Sequence, residues 1–187
     1  MLQGKRIAIL ATDGYEQSEL TEPLKRLREA GAEVRIVSLE PGTIRGESNG
    51  QWGDTVDVDL TVDEATADDF DTLVIPGGLY NPDQLRASSD AVSFVRSMFD
   101  ARKPIAAICH GPWLLVEAGI ARGRKLTSYP SIRTDVINAG GLWIDEPVVV
   151  DQGLITSRSP KDLDSFIAKI VEETREGRHE ERVTRAA

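Results

Sequence analysis

Short apolar runs alternate with amphipathic stretches from the first residues of this chain onward. Residues 7–11 (Ile-Ala-Ile-Leu-Ala) form a continuous apolar run with the length of a buried strand. Over residues 17–30, Leu20, Leu24, Leu27 and Ala30 recur at helical spacing, and Gly31 follows as a stop. Residues 34–37 repeat the signature of a buried strand. A strand, an amphipathic helix and a second strand open a parallel sheet, because a parallel return needs a crossover that lays a helix on one face.

The alternation resumes after one interruption. Residues 40–62 hold Pro41, Gly42, Gly46, Gly50 and Gly53 between alternating stretches at 43–45 and 55–59, which predicts a small antiparallel excursion. Buried strands are expected at 71–75 and 104–108, and helices at 90–102 and 111–118. A short strand near 126–128, a helix across 131–139, strands at 142–144, 148–151 and 154–156, and a last helix over about 160–174 complete the pattern. It predicts one α/β domain over residues 1–174, a mostly parallel sheet with helices on its faces. Residues 175–187 carry four arginines among glutamates with little apolar content, so a frayed tail is expected there, with His179 solvated in it.

Composition narrows the partners. A chain of 187 residues buries a core large enough to need no disulfide. The net charge of −9, with no basic cluster, argues against nucleic acid and against an anionic membrane surface. One cysteine makes no internal disulfide, and one Cys with two His are too few for a Cys/His metal site. The apolar run behind Lys5 and Arg6 is too short for a signal-peptide core, and no run reaches membrane-spanning length. A cytoplasmic protein without metal or cofactor is the expectation.

The chemistry should lie where the parallel strands end, since open α/β sheets bind ligands at their carboxyl edge. Three strand ends are unusual: Thr12-Asp-Gly-Tyr-Glu16, Pro76-Gly-Gly-Leu-Tyr-Asn-Pro82 and Cys109-His-Gly-Pro112. In the last, a strand stops, a reactive residue follows, and Gly111 permits tight packing before a helix, which is the layout of a nucleophile elbow with Cys109 as nucleophile. A helix N-terminus beneath Cys109 would favour its thiolate. A lone cysteine at a strand end is otherwise a small buried hydrophobe; the His-Gly that follows and the strand-to-helix setting favour the functional reading. His110 titrates near neutrality and suits a general acid or base, although adjacent side chains diverge, so a direct pair needs the ring held by a third group. Glu16 either serves the helix dipole or turns toward Cys109 as a proton donor or base. Gly77 and Gly78 allow backbone N–H groups to approach an oxyanion.

These residues carry a resemblance. Asp13-Gly-Tyr-Glu16 with Glu19-Leu20, Pro76-Gly-Gly78, Asn81-Pro-Asp83, Ala107-Ile-Cys-His-Gly-Pro112, Thr127-Ser-Tyr-Pro130 and Thr156-Ser-Arg158 with Pro160 resemble the ThiJ/PfpI family, in its branch of intracellular proteases and general stress proteins. The match runs in order over roughly residues 4–173. The resemblance implies a flavodoxin-like three-layer sandwich that assembles as homodimers or larger rings. It implies a Cys109 nucleophile hydrogen-bonded to a protonated Glu16, with His110 beside it and Asp83 reaching in from a neighbouring subunit. The oxyanion and substrate side would be formed by Gly77, Gly78, the backbone at His110, Gly111 and Tyr129.

The activity implied is a cysteine-dependent hydrolase acting on reactive carbonyls or their protein adducts, as a deglycase or cofactor-free glyoxalase. An intracellular peptidase and a redox-sensing chaperone that signals by oxidation of Cys109 are the alternatives. A flavin or nucleotide binder would suit the fold class, but Asp13 and Glu16 would repel a phosphate at the first loop, and there is no G-x-G-x-x-G. A glutamine amidotransferase would need a downstream His in the folded domain, and only His179 follows.

Overall fold

The computed structural model describes residues 1–179. In chain order the elements are β1 (Arg6–Leu10), β2 (Tyr15–Glu16), α1 (Gln17–Glu29), β3 (Glu33–Ser38), β4 (Thr43–Ser48), β5 (Gln51–Asp57), β6 (Leu60–Thr61) and β7 (Thr72–Ile75). They continue as α2 (Tyr80–Arg86), α3 (Ser89–Asp100), β8 (Ile105–Ile108), α4 (Trp113–Glu117), β9 (Lys125–Leu126) and α5 (Arg133–Asn138). The last are β10 (Leu142–Trp143), β11 (Val148–Asp151), β12 (Leu154–Ser157) and α6 (Leu163–Glu176).

A seven-stranded sheet in the order β11-β12-β8-β7-β1-β3-β6 forms the middle layer. Its pairings are parallel except β11 with β12, which run antiparallel at one edge. Alternate residues of each central strand face opposite helical layers. Ile7 and Ile9 of β1 join Leu20 and Leu27 of α1 and Phe166, Ile167 and Ile170 of α6 on one face. Ala8 and Leu10 join Leu85, Phe94, Val95, Met98, Leu114 and Val136, from α2 to α5, on the other. Each large side chain buried in this way contributes about 1.5–3 kcal/mol, so the continuous apolar strands are held from both sides. The α/β sandwich with a mostly parallel sheet, expected above, is the observed fold.

The excursion at 40–62 is a hairpin of β4 and β5, antiparallel, with a register shift between Arg45 and Glu47. It stands apart from the main sheet, where β4 pairs in parallel with β2 and so hangs beside the first catalytic-edge loop.

Three details depart from the sequence expectation. The segment after Gly78 folds into α2, because Pro82 lies within the first turn, where its missing N–H breaks no hydrogen bond. The helix expected at 111–118 is shorter, Trp113–Glu117, since Cys109–Pro112 are used by the turn itself. At the other end α6 continues to Glu176, and the expected fraying does not begin there. Gly177, at φ +85°, ends the helix, His179 donates its backbone N–H to the Arg102 carbonyl at 3.0 Å, and its Nε2 stands 2.8 Å from Glu173 Oε2. His179 is therefore docked, not solvated; residues 180–187 lie outside the described residues. Among the described residues no helix is long and apolar enough to cross a membrane.

Candidate active site

The carboxyl ends of β1, β7 and β8 meet, as the parallel arrangement requires. A buried side chain that sequence reasoning missed ties two of them together. Asn81 Oδ1 accepts the Thr12 N–H at 2.8 Å, and its Nδ2 donates to the carbonyls of Pro76 and Gly77, both at 3.0 Å. Asn81 is completely buried. Its signal in the sequence is an amide immediately before a helix-opening proline, beside a Gly-Gly turn.

Cys109 directly follows β8 with φ +63°, in the left-handed region that a non-glycine residue adopts only under local constraint. The constraint is visible. Its N–H donates to the Ser157 carbonyl at 3.0 Å, and its own carbonyl accepts the Tyr129 N–H at 2.8 Å. Gly111 closes the turn with a 2.8 Å bond to Ile108, and a Cβ there would lie 2.7 Å from the Ile75 carbonyl oxygen. The elbow thus depends on a glycine two residues past the nucleophile, because strand and turn touch there.

The acid beside the sulfur is Glu19, not Glu16. Glu16 is the N-cap of α1, and its carboxylate accepts the Glu19 N–H at 3.1 Å and the Ser18 hydroxyl. Glu16 thus serves the N-terminus of α1, as a side-chain cap on its first turn and not simply as a dipole partner. Glu19, one turn into the helix, is fully buried, accepts the Gly77 N–H on Oε2 at 2.8 Å and interacts with the Cys109 thiol. The sequence carried the clue: the buried stripe of α1 is Glu19, Leu20, Pro23 and Leu27, so one carboxyl lies on the apolar face of the helix.

Gly77 separates the two groups by almost nothing. A Cβ at this position would lie 2.5 Å from Glu19 Oε2 and 2.6 Å from Cys109 Cβ. Gly78, at φ +81°, brings its backbone against the first loop; a Cβ there would be 2.3 Å from the Gly14 carbonyl oxygen.

Burial, with the Glu16 charge adding to it, pushes the Glu19 carboxyl up to about 8, against the pull of the Gly77 N–H. Burial and the Glu19 charge push the Cys109 thiol up, while the N–H groups of Gly78 and His110 pull it down. The two shifts are coupled. With Glu19 protonated at neutral pH, its repulsion of a thiolate disappears and its O–H becomes a donor to sulfur. The five-residue α4 adds little field at the sulfur; two backbone N–H groups and a neutral carboxyl stabilise it instead.

His110 does reach its neighbour: Nδ1 lies 3.2 Å from Cys109 Sγ, and Nε2 lies 3.0 Å from Ser131 Oγ. The ring is held between Tyr129, stacked with centroids 4.9 Å apart, and Trp113, tilted at 5.2 Å. Burial lowers the His110 pKa, which keeps the imidazole neutral and able to accept a proton. Asp83 is exposed on α2 and is engaged by Arg86 of its own chain at 2.6 Å. That guanidinium lies 4.2 Å over the Trp113 ring. Within the chain, then, Cys109, His110, Gly77, Gly78, Gly111 and Tyr129 converge, Glu19 replaces Glu16, and Asp83 belongs to an outer ring of contacts.

The family model described as the DJ-1/PfpI family matches residues 5–173. The chain belongs to the DJ-1/PfpI family. Among DJ-1/PfpI relatives, it is 46% identical over 166 residues to "Deglycase PH1704" of Pyrococcus horikoshii, covering 89% of this chain and 97% of that protein. It is 46% identical over 165 residues to "General stress protein 18" of Bacillus subtilis, covering 87% and 94%. The crystal structure of Drosophila melanogaster DJ-1beta superposes with a TM-score of 0.82 at 30% identity, over 92% of this chain and 94% of that one.

Proposed function

We propose that this chain is a cofactor-independent cysteine enzyme that acts on small reactive carbonyl compounds or on their adducts with protein amines. The observation that carries this reading is the single cluster at Cys109. Its sulfur faces a neutral base at 3.2 Å and two backbone N–H donors, beside a buried carboxyl that is protonated at neutral pH. The similarity to a protein named as a deglycase supports it.

In the first step the Cys109 sulfur forms a bond to the aldehyde carbon. The thiol proton passes to His110 Nδ1, and the carbonyl electron pair moves onto oxygen as an alkoxide. The N–H groups of Gly78 and His110 are the donors available to that oxyanion. His110 returns the proton to the alkoxide, giving a hemithioacetal. For a 2-oxoaldehyde, the hydrogen on the hemithioacetal carbon shifts to the adjacent carbonyl carbon while the hemithioacetal O–H proton passes to that carbonyl's oxygen, which gives the thioester of a 2-hydroxy acid. Water then releases a 2-hydroxy acid and regenerates the thiol, a net addition of one water. Cys109 is only 6% exposed, which favours a small electrophile over a segment of folded polypeptide.

Product analysis with methylglyoxal and with a fluorogenic peptide, alongside Cys109→Ser, tests the reading. Lactate formed by the wild type and not by the variant supports it. Peptide cleavage without carbonyl turnover would replace it with a peptidase, and absence of both would leave oxidation of Cys109 as the sulfur's role.

A further inference from the structure

We propose that Glu173, Glu176 and His179 form a site for one divalent transition-metal ion of the zinc class, which fastens the end of α6 to the loop before β8. The site is separate from Cys109 and does not rest on the function proposed above.

The sequence of α6 brings two of the ligands together. Glu173 and Glu176 are three residues apart in its last turn, so their side chains share one face of the helix. Gly177 then takes φ +85°, a conformation open to glycine, and turns the chain back on itself. That return carries His179 to the same face, where its N–H donates to the Arg102 carbonyl at 3.0 Å. Arg102 lies in the loop between α3 and β8, so the cluster sits where α6 meets that loop. One carboxyl oxygen of each glutamate and one imidazole nitrogen all lie within 4.8 Å of one another.

Two observations point to a shared ion rather than to a closed Glu–His pair. The first is an unmet polar contact. Glu173 is only 6% exposed, and neither its Oε2 nor His179 Nε2, both buried, makes a hydrogen bond. The two atoms nevertheless face each other at 2.8 Å. Ligand atoms about 2.1 Å from one ion stand about 3 Å apart at a right angle, so a small opening of this pair admits the ion. A carboxylate buried with its oxygen out of hydrogen bonding is costly unless a cation meets it. The second observation is charge. Glu172, Glu173 and Glu176 crowd the C-terminal end of α6, where the helix dipole disfavours anions. Arg175, the basic residue of that turn, is two positions from Glu173 and so projects from the other side of the helix. A cation held between the two carboxylates and the imidazole meets both needs.

The donor set selects the ion. Ca²⁺ and Mg²⁺ take oxygen ligands, whereas Zn²⁺ and its neighbours accept imidazole nitrogen together with carboxylate oxygen. Glu176 is exposed and closes the site by rotation of its side chain. One histidine with two carboxylates lies outside the Cys/His pattern that the small number of cysteines and histidines argued against.

The test is a calorimetric titration of zinc chloride into the full chain carrying Cys109→Ser, which removes the thiol that competes for zinc. The expected result is one Zn²⁺ per chain. On the same background, His179→Asn and Glu176→Gln should each weaken binding by about 10–100-fold, at least the cost of losing an outer partner of a metal ligand. Glu172→Gln should leave it unchanged, because that carboxylate is held by Lys169 at 2.7 Å. Excess zinc should raise the melting temperature of the Cys109→Ser chain and not that of its His179→Asn variant, since an ion bound only by the folded state stabilises it. Melting without metal shows whether each variant has folded. Absence of saturable binding at millimolar zinc overturns the site. So does binding that persists in His179→Asn, or that Glu172→Gln weakens equally, which would mark a diffuse acidic surface.

Discussion

Glu19 and Cys109 approach each other across a glycine that has no room for a side chain, so one buried carboxyl and one buried thiol share a single small space. Neither can be ionised without consequence for the other. The protonated carboxyl allows the sulfur to become an anion, and an ionised carboxyl would oppose it.

The first expectation concerns stability. The Glu19 carboxyl is raised from 4.5 to about 8 in the fold. Between those values the native state binds a proton that the unfolded chain has lost, so stability falls as pH rises through that window and levels off above it. The full effect is on the order of 5 kcal/mol. Glu19→Gln should remove most of this slope while keeping an oxygen for the Gly77 N–H. Urea unfolding at pH 5 and at pH 8 checks it: the wild type should lose stability between the two and the variant should not.

Gly77→Ala should force the carboxyl and the nucleophile away from each other. The new carbon would sit 2.5 Å from a carboxyl oxygen and 2.6 Å from Cys109 Cβ, both fixed by backbone contacts. A loss of about 1–3 kcal/mol is expected from overpacking, together with loss of turnover as Glu19 and Cys109 are forced apart. Thermal melting and the alkylation rate of Cys109 measure the two effects.

Asn81→Ala should destabilise by about 3 kcal/mol, because it leaves the Thr12 N–H and two loop carbonyls buried without partners. Asn81→Asp keeps the acceptor for Thr12 and loses both donors, so it should recover little. Denaturant midpoints at constant slope decide this.

Burial lowers the His110 pKa. The neutral base should survive to lower pH than a free imidazole, whose ordinary value is about 6.5. The kcat/KM for a carbonyl substrate should therefore stay level through neutrality and decline only below the usual imidazole range. A decline centred at or above that range would contradict a neutral His110 as base.

Much of the fold was legible because both faces of the sheet are covered. Strands such as Ile7–Leu10 and Ile105–Ile108 then read as continuous apolar runs, and α1, α3 and α6 carry clear stripes. The helix α2 was not legible: Tyr80-Asn-Pro in sequence looks like a turn, and the buried Asn81 side chain, bonded to Thr12 and back to the loop that leads into α2, fixes the helix start beside Pro82. Cys109, His110 and the glycines were found because an elbow is a local motif. Glu19 was overlooked in favour of Glu16, since two glutamates one helical turn apart look alike until the direction of the helix is known. Ser131 had no signal at all; its place depends on a hydrogen bond between Tyr129 and Cys109, twenty residues apart in the chain.

The docking of His179 to Arg102 and Glu173 has a practical consequence. Arg102 lies just before β8, and Cys109 lies just after it, so the last described residue sits at the opposite rim of the sheet from the sulfur. A surface tether or a fluorescent label attached beyond this point starts on the far side of the molecule. Immobilised protein should therefore keep the mouth above Cys109 clear for reagents.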